Sequence, residues 1–570
     1  MRFLSVLCVL CGSSFFVAAL DREVFTITKY DLEIHLEPQQ QRLGARGRIT
    51  LRNDSGQPQK IAALQISSSL SWRSIRVEGK AVQYVSQPYT SDIDHTGVLS
   101  EAIVTLPAEI KPKDSVELEI GYEGVIPRDT TRLTQVGVPE EIAKHSSWDQ
   151  IGSSFTAVRG AGYVAWYPIT TESADFSEGN SLFEVVDRLK KREQDASMKL
   201  SLRTDARIDD AQLTLLCDGF GTNYDTREGT SQFHTARCEY GRLGSVTPTF
   251  AMASYLYQSK APLNLFSLPG HKAGAATYSS ALEPAMKFVS GWFGQPSAPV
   301  AIADFADPNS APFESGTLLM ASMAAEDSKL AGTNLVHELV HSALPSSRPW
   351  VYEGLAHFAE AMYRQQQGGR EAAIAFLAQH RAEFLDSEKE VAVALQKNIG
   401  QPLATTFDET YYRSKAAYVW WMLRDTVGDD ALKQALAKYR AKDDDDKNPK
   451  YVEQLIEAAA KRDLGWFFDD WVYQDRGLPD LRVQSAHPWK TEKDVPFITV
   501  TLENVGNAGA EVPFTIIFEG GEIAQRIEVR AKSTATMRVE LPRPASEIVV
   551  NDGSVPESDL TNNVFKVPAQ

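Results

Sequence analysis

The sequence predicts a multidomain α+β protein, with a β-rich part at each end and a helical part between them. The chain has 570 residues, more than a single hydrophobic core usually holds. Apolar and polar residues alternate near both ends, as they do in half-buried strands, whereas apolar residues of the middle recur at helical spacing. Together, the length and the two periods indicate about three domains with different secondary structure.

The composition excludes several classes of protein. Hydrophobic residues make up 43% and charged residues 23%, so neither a disordered nor a collagen-like chain is expected. The net charge of −17 at pH 7 argues against a nucleic-acid partner and against an anionic membrane surface. The charge does not identify a substrate, and the sequence does not give the oligomeric state.

Residues 1–19 have the pattern of a secretory signal. Arg2 gives a short positive start, Phe3 begins an apolar stretch, and the small residues before position 20 form a cleavage pattern. We therefore expect a periplasmic or secreted mature protein without stable membrane insertion. A membrane anchor is the alternative, and the short apolar stretch disfavours it. The mature chain keeps Cys217 and Cys238, which an exported protein can join in a structural disulfide.

The N-terminal part, residues 20–260, is predicted to form one mostly antiparallel β domain. In the stretch YDLEIHLEP, alternate apolar residues (Tyr30, Leu32, Ile34 and Leu36) point to one face. Short segments of the same style continue along this part, separated by Gly, Pro and Asn-Asp turns.

Residues 261–482 are predicted to be mainly helical. The stretch TNLVHELVHSAL is a short helix that Pro345 cannot continue, and WVYEGLAHFAEAMYRQQQ is a second helix ended by Gly368-Gly369. Alternation returns in FITVTLENVG and VPFTIIFEGG, so residues 483–570 are predicted to form a small β-sandwich.

The first of these helices carries a candidate zinc site. His337 and His341 are four residues apart, so both imidazoles lie on one helix face. Catalytic zinc takes nitrogen and oxygen ligands and keeps one position for water. Glu338 lies one step round the helix, where a base can take a proton from that water. A core histidine pair is the alternative, but a neighbouring helix that begins with Trp350 and Glu353 offers the third ligand.

HELVH and WVYEG together resemble the aminopeptidase N (membrane alanyl aminopeptidase) family of gluzincin zinc peptidases, whose pattern is H-E-x-x-H-x18-E with the last Glu in W-x-x-E-G. YDLEIHLEP, AWYPIT, TFAMASYLY and DLGWFFDDWVYQDRGLPDLRV are similar to other parts of that family, in the right order over residues 25–480. The resemblance implies an N-terminal β saddle, a thermolysin-like helical catalytic domain and a C-terminal β-sandwich. It also implies one Zn²⁺ ion and a peptide substrate.

The chain departs from the family in the position of the third ligand. Eleven residues separate His341 from Glu353, and the family spacing falls on Glu360. The Trp-x-x-Glu-Gly context favours Glu353 as the ligand, because the loop before it can shorten. Glu360 is then expected behind the ligands or at the surface. His357 either orients a ligand or is a partly buried polar residue.

Two further roles follow from the resemblance. The family motif G-x-M-E-N appears only as APFESG, so Glu314 is implied to bind the substrate amino group and impose exopeptidase action. A surface acid is the alternative. The family pattern Y-x-K-G matches Lys415, but the tyrosines are Tyr411 and Tyr412, shifted by one or two residues. Tyr412 is preferred to Tyr411 as the phenol aimed at the oxyanion, and either can be plain packing.

The resemblance therefore implies an exported zinc aminopeptidase with Glu338 as general base. An endopeptidase on the same scaffold does not need Glu314 and remains open. A non-catalytic peptide-binding relative and a hydrolase of small epoxides or esters also remain open. The preference for the first substrate side chain depends on a pocket that spacing does not reveal.

Overall fold

The computed structural model describes residues 20–179, 181–205, 207–208, 211–228, 231–395, 402–441, 448–490 and 495–568. The expected signal, residues 1–19, lies outside the described residues. The chain is a multidomain mixed α/β protein with a β-rich N-terminal part, a helical middle and C-terminal sheets. Among the described helices, none combines the length and the apolar character that a membrane span requires.

Among its described residues, the N-terminal part has sixteen strands and three α-helices. The strands are β1 Phe25–Glu37, β2 Arg42–Asn53, β3 Gln59–Ser67, β4 Leu70–Val77, β5 Lys80–Ala81, β6 Gln83–Thr90, β7 Val98–Ile110, β8 Ser115–Val125, β9 Phe155–Val158, β10 Ser197–Asp205, β11 Arg207–Ile208, β12 Ala211–Gln212, β13 Thr214–Cys217, β14 Phe220–Glu228, β15 Ser231–Tyr240 and β16 Phe250–Ala253. The helices are α1 Thr131–Gln135, α2 Glu140–Ser146 and α3 Ser181–Glu193, and a 3₁₀ turn spans Pro38–Gln40.

An eight-stranded sheet in the order β14-β15-β10-β1-β2-β8-β4-β5 forms the frame of this part. Its pairs are antiparallel except for β1 with β10, which are parallel. The apolar residues that alternate along β1, Tyr30 to Leu36, are buried as their period predicts. Smaller sheets follow, in the orders β3-β7-β6, β13-β16-β9 and β11-β12. A disulfide joins Cys217 in β13 to Cys238 in β15.

Helix α3 lies within the part that the sequence predicts to be mostly antiparallel β, and the sequence analysis does not identify it. Its apolar residues Leu182, Val185 and Leu189 recur at three and four positions and are buried, which is the helical period. The segment is only 13 residues long and rich in charge, so its pattern is weak beside the long alternating strands around it.

The middle part has a mixed sheet as well as helices. Its strands β17 Leu256–Lys260, β18 Leu263–Ser267, β19 Val300–Ala303, β20 Phe313–Ser315 and β21 Leu318–Met320 are ordered β17-β18-β19-β21-β20. The helices are α4 Lys272–Trp292, α5 Ser328–Ala343, α6 Pro349–Leu395, α7 Ala416–Val427, α8 Asp429–Lys438, α9 Tyr451–Ala460 and α10 Gly465–Phe468. A 3₁₀ turn spans Pro269–His271, and π-helices span Thr410–Lys415 and Asp469–Tyr473. Helix α6 is broken at Gly369, which has φ 79°, near the predicted end.

The C-terminal part consists of two sheets. Its strands are β22 Leu481–Lys490, β23 Pro496–Asn504, β24 Ala510–Phe518, β25 Gly521–Val529, β26 Ser533–Glu540, β27 Ala545–Val550 and β28 Val564–Lys566. They form the orders β22-β23-β26 and β25-β24-β27-β28. Alternate residues of β23 and β24, such as Ile498 and Phe514, are buried in a core that continues into the helical part.

An aromatic cluster joins the N-terminal part to the mixed sheet. Trp148 and Phe155 from the first contact Phe305 and Phe313 from the second, with the Trp148 and Phe305 ring centroids 4.9 Å apart. This cluster anchors β20, the edge strand that carries Glu314 next to Phe313.

Candidate metal centre

Helix α5 brings the two histidines together. It starts at Asp327, whose carboxylate accepts hydrogen bonds from the backbone N–H groups of Lys329 and Leu330 at 2.9 and 3.0 Å. The four-residue spacing places the His337 and His341 ring centroids 4.8 Å apart. Both histidines are buried, because the helix packs inside the core rather than on its surface.

Helix α6 brings Glu353 to the same point. Its carboxylate oxygens Oε2 and Oε1 lie 3.8 Å from His337 Nε2 and His341 Nε2, respectively. The helix approaches its neighbours closely at Gly354, where an added Cβ would lie 2.5 Å from the Cβ of Ala416. A glycine after the glutamate therefore lets α6 sit near enough to α7 for this placement.

Edge strand β20 supplies a further carboxylate. Glu314 Oε1 is 2.7 Å from His337 Nε2 and 2.7 Å from His341 Nε2. Together with Glu353, these groups offer four ligand atoms within 4.8 Å of one another. The sequence predicts Glu314 as an anchor for a peptide amino group. The structure places it in direct contact with the histidines, where a carboxylate can also bind a metal.

Glu360 lies on the other side of His337. Its Oε2 is 3.4 Å from His337 Nδ1 and 2.8 Å from His357 Nδ1. Glu353 and Glu360 are two turns apart on one helix, yet they face opposite nitrogens of the same ring. The Nε2 atoms thus converge with Glu353, and Glu360 can fix the orientation of His337.

The charged groups of the cluster shift one another's pKa values. Burial favours the protonated form of Glu314, but His337 and His341 hold the pKa of its carboxyl well below the usual range. Burial lowers the pKa of His337, but Glu314 and Glu360 raise it well above the usual value. Burial, and next the Glu314 carboxylate, raise the pKa of Glu338 well above that of an ordinary glutamate.

The residues present fit a zinc ion. Both carboxylate oxygens of Glu338 and Oε2 of Glu353 are buried without a hydrogen-bond partner in the part of the chain that the structure describes. Buried polar atoms normally have partners, so these oxygens indicate a group that they bind. Two imidazole nitrogens with carboxylate oxygens form the donor set that zinc takes in proteins.

Each of the two predicted tyrosines has a contact away from the histidine pair. Tyr411 and Tyr412 lie in the π-helix and are each 2% exposed. The Tyr412 hydroxyl hydrogen-bonds the Glu409 carboxylate, and the ammonium of Lys415 lies 5.3 Å from the Tyr411 ring centroid. Lys415 itself is buried between Glu388 and Asp475, so Tyr411 packs beside an internal ion cluster.

Two residues near the centre were missed by the sequence reasoning. Arg413 Nε lies 3.4 Å from Glu353 Oε2. Tyr352 stacks on His341, with ring centroids 3.7 Å apart, and donates a hydrogen bond to the Gly316 carbonyl at 2.8 Å. A signal for Arg413 was its position two residues before Lys415, where the pattern Y-x-K-G expects a phenol. The sequence offered no comparable signal for Tyr352.

A cavity of about 300 Å³ is lined mostly by residues of the N-terminal part, together with a few residues of the middle part such as Phe407 and Glu409. Its lining is mainly apolar, and its charged residues are Arg132, Arg159, Lys190 and Glu409. Lys190 Nζ is 3.7 Å from Glu409 Oε1, and Glu409 connects the cavity to Arg413, whose Nη1 is 3.6 Å away.

No model of a known protein family matches the chain, and no curated protein matches it. Similar solved structures include an M1 zinc metallopeptidase from Deinococcus radiodurans, with 16% identity, a TM-score of 0.47, and coverage of 76% of this chain and 90% of that chain. A mutant of that enzyme has 15% identity and a TM-score of 0.47, covering 79% and 94%. The mutant bound to a Tyr-Ser-Ala substrate has 15% identity and a TM-score of 0.48, covering 81% and 96%. Likeness at this level is too low to carry an argument about the activity of this chain.

Proposed function

We propose that the protein is an exported zinc-dependent aminopeptidase. The observation that carries the proposal is the convergence of His337 Nε2, His341 Nε2 and the Glu353 carboxylate beside the buried, unpaired carboxylate of Glu338, among the residues that the structure describes. Export is supported by the signal pattern of residues 1–19 and by a disulfide between the two mature cysteines.

His337, His341 and Glu353 would hold one zinc ion, and Glu314 can add a fourth ligand. Zinc, when bound there, polarises the substrate carbonyl and makes water a better nucleophile at neutral pH. Glu360 holds His337 from its Nδ1 side, which leaves Nε2 for the metal.

Glu338 would move the proton. Because burial and neighbouring carboxylates raise its pKa, Glu338 accepts a proton more readily than an ordinary glutamate. It takes one from water as the oxygen–carbon bond forms, and gives it to the leaving amine as the carbon–nitrogen bond breaks. The products are a free amino acid and a peptide shortened by one residue.

Glu314 supports the choice of an aminopeptidase. A carboxylate on an edge strand next to the metal-binding nitrogens can pair with an α-ammonium group and so select free N-termini. The same contact favours a second candidate, an endopeptidase. If Glu314 stays on His337 and His341, it is not free to bind the substrate ammonium.

We also infer that the apolar cavity takes a large apolar side chain of the substrate, because its lining residue Glu409 contacts Arg413, which lies beside Glu353. Its volume of about 300 Å³ is of the size that one or two side chains fill, and its lining of Tyr163, Phe176 and Phe407 favours apolar groups. We expect leucyl and phenylalanyl substrates to be cleaved faster than aspartyl ones.

The test is a panel of aminoacyl-4-nitroanilides and matched N-acetylated peptides, with and without chelator. We expect cleavage of free N-termini only, its loss on chelation, and its recovery when zinc is added back. Glu338→Gln should keep zinc and lose activity by at least roughly a hundredfold. Glu326→Gln, an exposed acid before α5, is the control. A Glu338→Gln variant with full activity would reject this mechanism.

Glu314→Gln separates the two candidate peptidases. For an aminopeptidase, KM for free N-termini should rise while hydrolysis of acetylated peptides stays absent. Efficient cleavage of acetylated peptides by the unaltered protein supports the endopeptidase instead. Loss of both zinc and activity in Glu314→Gln would show that this carboxylate acts as a metal ligand.

A further inference from the structure

We propose that the Arg413 guanidinium, rather than a tyrosine hydroxyl, stabilises the oxyanion that develops on the substrate carbonyl. The inference rests on the proposed function and names a further catalytic residue for it. It replaces the role that the sequence predicts for Tyr412 or Tyr411.

The position of Arg413 carries the inference. Its Nε is 3.4 Å from Glu353 Oε2, and the same oxygen is 3.8 Å from His337 Nε2. The Glu353 carboxylate is therefore near both the Arg413 guanidinium and the His337 nitrogen that would bind the metal.

Exposure separates Arg413 from the tyrosines. An oxyanion donor must reach the space that substrate occupies. The Arg413 side chain is 29% exposed, whereas Tyr411 and Tyr412 are each 2% exposed. The Tyr412 hydroxyl is directed to Glu409, and the Tyr411 ring lies against the buried Lys415.

The spacing of the family pattern Y-x-K-G leads to the same residue. Counting back two residues from Lys415 reaches Arg413, the position at which the pattern Y-x-K-G has its phenol. The side chain at that position is the one that faces Glu353.

Two carboxylates position the Arg413 side chain, and some of its N–H donors remain available. Its two carboxylate neighbours, Glu353 at 3.4 Å and Glu409 at 3.6 Å, fix the guanidinium from two directions. A guanidinium has five N–H donors, so two ion pairs at these distances leave donors for a substrate oxygen.

The chemistry is that of ordinary peptide hydrolysis. When water adds to the carbonyl carbon, the oxygen–carbon bond forms and the carbonyl π electrons move to oxygen, while Glu338 takes the proton. Arg413 donates hydrogen bonds to that oxygen without transferring a proton. When the carbon–nitrogen bond breaks, the electron pair returns to the carbonyl and Glu338 protonates the amine. A fixed cation aimed at this oxygen lowers the barrier, since the charge appears only in the transition state.

The experiment compares Arg413→Gln and Arg413→Lys with Tyr412→Phe and Tyr411→Phe. Four quantities are measured: zinc content, kcat and KM on a leucyl anilide, and the Kd of a phosphinic pseudopeptide. In that probe a tetrahedral phosphorus carries the anionic oxygen. Arg424→Gln is the matched control, because Arg424 of α7 pairs with Asp429 of α8, away from the centre.

For Arg413→Gln we expect kcat to fall by at least roughly a hundredfold and phosphinate affinity to fall in parallel. Zinc content should be unchanged, and Arg413→Lys should recover part of both. Tyr412→Phe should lose far less than Arg413→Gln. Full kcat in Arg413→Gln, a loss explained entirely by missing zinc, or a larger loss in either tyrosine variant would each overturn the inference. An unaltered protein without zinc or peptidase activity would instead reject the proposed function itself.

Discussion

At the scale of single residues, the centre depends on which nitrogen each carboxylate faces. Glu353 lies near both Nε2 atoms, whereas Glu360 lies near Nδ1 of His337. A glutamate on the Nδ1 side cannot bind the same metal, but it fixes the ring and its tautomer. Removing Glu353 and removing Glu360 are therefore expected to affect zinc binding in different ways.

Glu353→Ala is expected to weaken zinc binding strongly, because it removes the carboxylate whose two oxygens lie beside both Nε2 atoms. Glu360→Ala is expected to keep zinc but to bind it roughly 10–100-fold more weakly, the usual cost of removing a group that orients a ligand. Metal analysis after dialysis and a competition titration measure both. Glu371→Ala, an exposed acid on the same helix, is the control. Equal zinc loss in both variants would contradict this distinction.

At the scale of elements, the centre depends on how closely α6 approaches α7. Gly354 lies at this contact, and an added Cβ would lie 2.5 Å from Ala416 Cβ and 3.1 Å from the Trp420 ring. Trp420 also donates a hydrogen bond to the Trp350 carbonyl at 3.1 Å, which fixes the first turn of α6. The Glu-Gly dipeptide thus combines a ligand with the close packing that positions it.

Gly354→Ala is expected to destabilise the protein by about 1–3 kcal/mol, since overpacking outweighs the better helix propensity of alanine. Gly291→Ala in α4 is the matched control, because an added Cβ there meets nothing within 4 Å and the residue is exposed. The control should be neutral or stabilising. Thermal unfolding of both variants makes the comparison. A Gly354→Ala protein as stable as the control would show that the contact relaxes freely.

At the scale of the whole molecule, the N-terminal part takes part in building the site. Phe313, next to Glu314, packs into the aromatic cluster with Trp148. On the opposite side, Lys190 of α3 pairs with Glu409, which in turn contacts Arg413. Both the edge strand and the π-helix are therefore held from outside the helical part.

The same packing buries Glu193 at the end of α3, where Tyr30 of β1 donates a hydrogen bond to it at 3.0 Å. Burial raises the pKa of Glu193 to about 8. In the folded state this group binds a proton more tightly than in the unfolded state. Its contribution to stability is therefore complete below the ordinary glutamate pKa of about 4.3 and is lost as the pH rises to 8.

We expect the free energy of unfolding to fall less between pH 5 and pH 8.5 in Glu193→Gln than in the unaltered protein. Glutamine keeps the hydrogen bond from Tyr30 and does not ionise. Each pKa unit of difference corresponds to about 1.4 kcal/mol. Glu184→Gln, an exposed residue on the same helix, should follow the unaltered protein. Melting temperatures across this range measure the effect. Identical pH profiles for both variants would contradict the assignment.

The sequence by itself determined the features that depend on local spacing. Alternation predicted β1, the helical period predicted α5 and α6, and the four-residue spacing placed His337 and His341 on one face. Only the tertiary structure decided which groups meet across elements. The faces of Glu353 and Glu360, the contact of Glu314 with both histidines, and the approach of Arg413 depend on how strand, helix and π-helix pack together. The Y-x-K-G spacing leads to Arg413, but the pattern expects a tyrosine there, so only the packing of the π-helix against α6 showed that the Arg413 guanidinium lies beside Glu353.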